Sequence, residues 1–541
     1  MSLRSDRSLR SPFLATILIL SASLLAISQT SVTTYHNDNN RTGWNPEETV
    51  LTPANVASTS FGFLRHVALD DQVDGQPLVV PGVTITAGTH KGKHDVVYVA
   101  TEGNTVYAID ANSGTILLSP NFGKPVSWPL GCNNNGPNVG INSTPVIDPA
   151  TNTLYVLVYT QDANGPAYRI HALDLGSLAD KVAPQVVVAS HTLTNGTTFN
   201  FNATYQRQRP GLLLANGNIY AGFGSFCDFF ANLSRGWLLG WSTESLTPLP
   251  ANQLFDIQPT SPDSFFLSSI WMSGFGPATD DSGNILFVTG NSDYSGNTYD
   301  GVSNIQESVV KVSSDLTTVL DLFTPSNQAS LDAWDADFGS GGVLVLPNQS
   351  GKTPHLAVAA GKVGTMFLMN ADNLGGYSPI KNNVLGSYIV NQCWCGPSYF
   401  VDSDGVARVV SSGGKQVKVW KVSTAPKPAL VKGPISPLLV GGQFPGFFTS
   451  ISSNGTTNPI IWALSRPPNS SATSPIYLYA FNPDATTNGT TMTQLFKGVA
   501  GNWPNLGGDA NLVPVVANGK VYVASNQQLK IFGLKPTAQK K

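Results

Sequence analysis

One pattern limits what this chain can fold into. An apolar strand, a loop, a second apolar strand and a polar turn recur from end to end. The clearest copy is VVYVATEGNTVYAIDANSG at 96–114, and further copies lie at 153–177, 218–245, 285–315, 355–375, 406–423, 459–484 and 520–534. Eight copies at a spacing of roughly 50–70 residues, built from strand-forming residues, predict radially repeated sheets. Flanking strands, STPVID and PQVVVA in the second copy, bring each unit to about four. A lone unit of four strands cannot bury both faces, so the units stack around an axis. The last copy ends near the C-terminus without an outer strand, and SFGFLRHVAL at 60–69 supplies one. Closing the ring in this way leaves no open edge. The expectation is an all-β chain in which residues 31–541 form a single eight-bladed β-propeller of four-stranded antiparallel blades. Its N- and C-terminal strands close the ring, and seven blades is the nearest alternative.

Composition agrees with many short strands and turns. Hydrophobic residues make up 41% and charged residues only 12% of the 541, with 52 Gly and 37 Pro. The net charge is −3 and no Lys/Arg block stands out, so nucleic acid is excluded as a partner. Arg4, Arg7 and Arg10 precede the apolar run FLATILILSASLLAI at 13–27, and small residues follow. This is the pattern of a cleaved signal peptide over 1–28, an uncleaved anchor being the alternative. The mature chain has no later apolar span and is expected to be secreted or periplasmic. Export permits disulfides, but there are only four cysteines: Cys132, Cys227, Cys393 and Cys395. On a strand, Cys393 and Cys395 point the same way and a bridge between them is strained, so separate partners or free thiols are expected.

Loop length singles out candidate functional segments. The strands at 285–289 and 308–312 are joined by a long polar insert, where a hairpin needs two to five residues. Other long segments lie at 223–235 and 323–347. The seven histidines sit beside no nucleophile elbow, which argues against a Ser-His-Asp hydrolase. DDSGN at 280–284 and DSDG at 402–405 read as turns between strands. Asp228, Asn291 and Glu307 lie in the inserts of the third and fourth units. Two carboxylates and an amide oxygen converging at a channel mouth would suit calcium.

The same residues sit inside longer matches. The chain resembles the quinoprotein dehydrogenase propellers, which use pyrroloquinoline quinone (PQQ) and calcium to oxidise alcohols or sugars. It looks closest to their divergent exported relatives, the PQQ-binding-like propeller proteins, whose ends TYHNDNNRTGWNPEETVLTPANVASTSFG (34–62) and NLVPVVANGKVYVASNQQLKIFGL (511–534) resemble. In that family a strand-end Gly-Thr-Gly-Asn binds calcium, and VTGN puts Asn291 there. SNIQES runs through the place of the catalytic base and further metal ligand, which implies Glu307, one methylene longer than the family's Asp. GSFCD before SRG implies Asp228 as a metal ligand. GKVG puts Lys362 against the quinone oxygens, and WDAD gives Asp335 and Asp337 as cofactor contacts. CWCGPSYF gives Trp394, with Cys393 in place of the family's Asn.

The implied chemistry follows from residue type. A calcium ion polarises a carbonyl, Lys362 stabilises negative charge, and the Glu307 carboxylate takes an alcohol proton. There are departures: no adjacent Cys pair and no Cys-x-x-Cys-His haem motif, so an electron acceptor must be a separate partner. The resemblance implies an exported PQQ- and calcium-dependent dehydrogenase of a small-molecule alcohol or sugar. The alternative is a non-catalytic scaffold that binds a protein or glycan after loss of the cofactor.

Overall fold

The strands flanking the long polar insert form as expected. Ile285–Val288 and Val309–Val312 pair antiparallel, with Ile285 opposite Val312 and Val288 opposite Val309. All eight residues are buried, so both faces of this sheet are covered. That is why the strands read as continuous apolar runs rather than alternating ones. In the computed structural model, residues 29–134, 136–295, 298–441, 445–467, 473–504 and 511–536 are described. The expected leader at 1–28 lies outside the described residues. Helix is confined to short pieces such as Pro53–Val56 and Gln328–Ala333, and none of the described helices is long and apolar enough to cross a membrane.

Several sheets have four strands. Leu78–Ile85, Gly92–Ala100, Val106–Asp110 and Ile116–Leu118 form one, and Val146–Asp148, Thr153–Asp162, Gly165–Asp174 and Gln185–Val186 form the next. Val343–Leu346, Leu356–Ala360, Thr365–Asn370 and Gly386–Ile389 form another. Others depart from four. Arg207–Gln208 and Leu213–Ala215 both pair with Asn218–Gly224, and Gly376–Tyr377 adds a parallel strand beside Val319–Thr324. One parallel pairing, Ile435 with Thr491, joins two sheets edge to edge. The termini pair as expected, Phe61–Gln72 with Lys520–Leu534 and Phe61 opposite Leu534, in a sheet of three strands rather than four, so the closure is nearly complete. The Asp-rich segments are turns, with Asp280 Oδ1 accepting from the amides of Ser282 and Asn284.

Period-two alternation explains how the sheets stack. Val96 and Tyr98 join a core with Leu154 and Val156 of the following sheet, while Val97 and Val99 pack with Tyr522 and Ala524 of the closing sheet. Tyr155 and Leu157 in turn pack with Ile219 and Ala221. Alternate residues of one strand thus serve two cores, each buried aliphatic side chain contributing about 1.5–3 kcal/mol.

The segment at 32–45 meets eight strands one after another in chain order. Val32 bridges to Val79, and the Thr33 carbonyl accepts from Ile147 N at 2.8 Å. The Asn39 side chain donates to the Leu214 carbonyl at 2.8 Å, and the Asn39 carbonyl accepts from Thr279 N at 2.8 Å. The carbonyls of Asn40, Thr42 and Gly43 accept from Val345 N, Tyr399 N and Ile451 N at 3.1, 2.8 and 2.7 Å. Asn45 Nδ2 donates to the Val516 carbonyl at 2.9 Å. Such a path runs along the inner wall of the ring. Arg41 anchors it: fully buried, it donates to the carbonyls of Pro277, Tyr35 and Leu212 at 2.8, 2.8 and 3.2 Å and to Thr34 Oγ1 at 2.7 Å. Burial pulls the guanidinium down to about 10, so it stays charged at neutral pH.

Candidate functional site

The long segments gather around a cavity of about 210 Å³. Ser225, Cys227 and Asp228 come from the insert at 223–235, and Asp335 and Asp337 from the segment at 323–347. Lys362, Trp394, Trp271, Arg207 and Arg209 complete most of the wall.

The insert after Val288 is closed at its base. Thr289 N donates to the Ser308 carbonyl at 2.9 Å, and Glu307 N to the Gly290 carbonyl at 3.0 Å. This puts Asn291 and Glu307 side by side under the segment at 323–347. Asn291 N donates to Asp337 Oδ1 at 2.6 Å, and Glu307 Oε2 accepts from Phe338 N at 2.5 Å. Gly290 permits the approach, since a Cβ there would lie 2.6 Å from Asp337 Oδ1 and 2.9 Å from Trp271 Nε1. Glu307, Asp228 and Asp335 have φ of 50°, 54° and 48°, a left-handed conformation costing an ordinary residue roughly 1–2 kcal/mol. Their surroundings over-determine this backbone, as is common where side chains must be aimed.

Lys362 is the electrostatic centre. Its Nζ lies 2.7 Å from Asp335 Oδ1 and 2.6 Å from Asp337 Oδ2. It also stands 4.9 Å from the Trp394 ring centroid and 5.6 Å from that of Trp271. Burial opposes the ammonium charge, but Asp337 and Asp335 outweigh it and hold Lys362 above its ordinary value. Burial likewise opposes ionisation of Asp337, and Lys362 overrides it, holding that carboxyl below the usual range. Asp335 is pushed up to about 6 by burial and then by Asp337.

The remaining carboxyls lack such compensation. Glu307 is fully buried, its Oε1 has no hydrogen-bond partner, and it is pushed well up by burial, then by Asp337 and Asp332. Asp228 is raised by burial and then by Asp337, and is lowered in part by hydrogen bonds with Ser225 and Asn291. Asp332, held by Ser292 N at 2.9 Å and Gln306 Nε2 at 2.6 Å, is pushed up to about 7 by burial.

The aromatic walls meet at an angle. The Trp271 and Trp394 rings are 5.8 Å apart with an interplanar angle of 79°. Trp394 is fixed through its backbone: its N donates to the Pro445 carbonyl at 3.0 Å, and the Trp394 carbonyl accepts from Arg466 Nη2 at 2.6 Å. The cysteines on either side of it are joined to each other, which corrects the expectation of separate partners or free thiols. That expectation assumed a strand, whereas these residues lie in a bend ahead of the strand Ser398–Val401, with Cα atoms 5.2 Å apart. The second disulfide, Cys132 to Cys227, ties the hairpin Val126–Ser127/Asn138–Val139 to the insert beside Asp228.

All seven residues singled out in the sequence therefore occupy one neighbourhood. Asp228, Asp335, Asp337, Lys362 and Trp394 line the cavity, while Asn291 and Glu307 lie directly behind Asp337. The wall residues not foreseen as site residues are Asn134, Arg207, Arg209, Ser225, Cys227 and Trp271. The Arg209 guanidinium stands 5.7 Å from the Trp271 ring. QRQRP is a dense basic pair in a charge-poor chain, a signal that could have found the arginines.

The wall offers a flat anionic ligand the guanidinium groups of Arg207 and Arg209, the ammonium of Lys362 that Asp335 and Asp337 already hold, and two tryptophan rings, of which one can cover a face and the other an edge. For a divalent cation the fit is narrower. Among the described residues, no three or more His, Cys, Asp or Glu side chains are assembled as a metal-holding group. The unpartnered Glu307 Oε1 and the crowded carboxyls behind Asp337 are what an oxygen-bound cation would relieve.

No family profile matches the sequence, and no curated protein matches it. Solved structures do match. The quinohemoprotein alcohol dehydrogenase of Comamonas testosteroni is 13% identical, with a TM-score of 0.59 over 94% of this chain and 81% of that one. A quinohemoprotein alcohol dehydrogenase of Pseudomonas putida gives the same values. A europium-containing methanol dehydrogenase is 10% identical, with a TM-score of 0.57 over 93% of this chain and 98% of its own. In its nearly all-β architecture, this chain has the propeller fold of the quinohemoprotein and methanol dehydrogenases.

Proposed function

We propose that residues 31–541 form one eight-bladed quinoprotein-like propeller that binds PQQ in this cavity and oxidises an alcohol or sugar. The blade count draws support from the segment at 32–45, which meets eight successive strands in chain order. The observation that carries the functional reading is the meeting of Lys362, Asp335 and Asp337 with Trp394 and Trp271 in one cavity.

PQQ is a flat tricarboxylate, and when bound it supplies the hydride-accepting chemistry. Arg207 and Arg209 bind its carboxylates by charge-assisted hydrogen bonds. Trp271 and Trp394 hold the ring and exclude water from it. Lys362 supplies a fixed positive charge where negative charge develops. Glu307, whose Oε1 has no partner, is the proton acceptor of this reading; it stands behind Asp337 rather than on the cavity wall, so the substrate hydroxyl proton reaches it past Asp337. Asp228, Asn291 and Glu307 would hold calcium, whose charge returns the raised Glu307 carboxyl to its ionised form.

The electron acceptor is a separate partner, and the protein works outside the cytoplasm as a secreted or periplasmic enzyme. Reconstitution with PQQ and Ca²⁺, followed by dye-linked oxidation across an alcohol and sugar panel, tests this reading. Stoichiometric PQQ binding with turnover is expected. Absence of stoichiometric binding would overturn it.

A further inference from the structure

Large exposed aromatic side chains stand on the segments that supply or adjoin the cavity wall. Phe229 and Phe230 follow Asp228 and are 46% and 53% exposed. Trp334 precedes Asp335 and is 80% exposed. Tyr294 is 51% exposed, and Asp228 and Asp335 both act on its phenol. Trp128, 51% exposed, stands on the hairpin that Cys132 fastens to Cys227. Two of these rings are backed by others: Tyr205 lies 5.9 Å from Phe230, and Phe265 lies 4.3 Å from Tyr294.

Exposing five aromatic rings costs hydrophobic free energy that a monomer ordinarily avoids. The rings stand on four segments, Phe229 and Phe230 sharing one, with the carboxylates of Asp228 and Asp335 next to them in the chain. No Lys/Arg block accompanies them, which argues against a polyanion. A pyranose has an apolar C–H face, which stacks on an aromatic ring, and hydroxyls at its edge, which donate to carboxylates. Alternation of stacking platforms with acceptors therefore matches a neutral oligosaccharide better than a simple alcohol, which needs no platform. Tyr and Trp suit such half-wet positions because each offers an apolar face and a polar edge.

We propose that this rim is an oligosaccharide-binding surface and that the sugar it holds presents a hydroxyl to the cavity. The first part stands on the rim alone, and the second rests on the proposed dehydrogenase reading.

The test uses the full mature chain, with and without PQQ and Ca²⁺. Cellohexaose, maltohexaose, mannohexaose, xylohexaose and chitohexaose are titrated by calorimetry and by tryptophan emission. At least one is expected to bind and shift the emission. Trp334→Ala is expected to weaken it at least tenfold at an unchanged melting temperature, with Phe230→Ala as the second variant. Binding by none of the five, or equal binding by both variants, overturns the proposal. Dimerisation through the rim in place of sugar binding also overturns it. Sugar binding without PQQ binding sustains this inference and removes the dehydrogenase reading. PQQ-dependent turnover of small alcohols with no sugar bound does the reverse.

Discussion

Lys362 Nζ lies 2.6 Å from Asp337 Oδ2, while the other oxygen of that carboxylate accepts from Asn291 N at 2.6 Å. One carboxylate thus fixes both the cation of the cavity and the start of the insert that ends in Glu307.

Removing the cation leaves that buried carboxylate uncompensated. Lys362→Met is expected to destabilise the fold by about 3 kcal/mol and to abolish PQQ binding. Adding Asp337→Asn removes the stranded charge while keeping an acceptor for Asn291. The double variant is expected to regain much of the stability and none of the binding. Denaturant midpoints and cofactor titrations measure the two effects separately.

Glu307→Gln is expected to move stability and activity in opposite directions. The carboxyl is pushed well up by burial and by Asp337 and Asp332, so an amide relieves unfavourable charge burial. It still offers an oxygen to Phe338 N. The metal-free protein is expected to melt at the same temperature or higher, while kcat falls by about 10²–10⁴ through loss of the general base. Equal turnover by the variant would remove Glu307 from the mechanism.

The limits of the sequence reading are physical. The strands Ile285–Val288 and Val309–Val312 were legible because burial on both faces demands unbroken apolar runs. The closing strand was legible because the last repeat lacked a partner. WDAD and GKVG stood out only through their resemblance to motifs of the quinoprotein dehydrogenases. Trp271 was not legible, because a tryptophan between repeats reads as core until its neighbours are known. The Cys393–Cys395 link was missed because strand geometry was assumed for a bend. The inner path of 32–45 was hidden most deeply, since its partners are backbone groups on strands up to several hundred residues away.

That path yields a stability prediction. Arg41 satisfies carbonyls of Tyr35, Leu212 and Pro277, three separate segments, in a fully buried position. Arg41→Met fills similar volume but strands those acceptors, each costing about 1–3 kcal/mol. The expected result is a loss of at least several kcal/mol or failure to fold. Arg41→Lys is expected to be only partly better, since one ammonium cannot reproduce the planar fork. Thermal melts and soluble yield measure this.

Asp256 yields the pH dependence. It pairs with Arg235 at 3.3 Å, yet burial outweighs the pair and pushes the carboxyl up to about 7. Its Oδ2 has no partner. In the unfolded chain an Asp titrates near ~3.9. Between these values the folded state holds a proton that the unfolded state has lost. Stability contributed by this group is therefore present at low pH and falls as pH rises through about 7. Asp256→Asn removes the titration at nearly constant shape. Urea midpoints at pH 5 and pH 8 are expected to differ less in the variant than in the wild type, and an equal difference would contradict the assignment.

Gly290→Ala separates the site from the fold most sharply. Gly290 has no need of a left-handed backbone, so its role is space alone. A methyl there meets Asp337 Oδ1 at 2.6 Å and Trp271 Nε1 at 2.9 Å, both closer than real Cβ contacts allow. The backbone is pinned through hydrogen bonds of Gly290 to Ser269 and Glu307, so the side chains must yield. Such overpacking costs about 1–3 kcal/mol, which a chain of this size tolerates. The displaced groups are the partner of Lys362 and one aromatic wall of the cavity. PQQ affinity is therefore expected to fall at least a hundredfold while the melting temperature drops only a few degrees. Calorimetric titration beside a thermal melt reads both, and unchanged affinity would show that Asp337 and Trp271 do not form the cofactor wall.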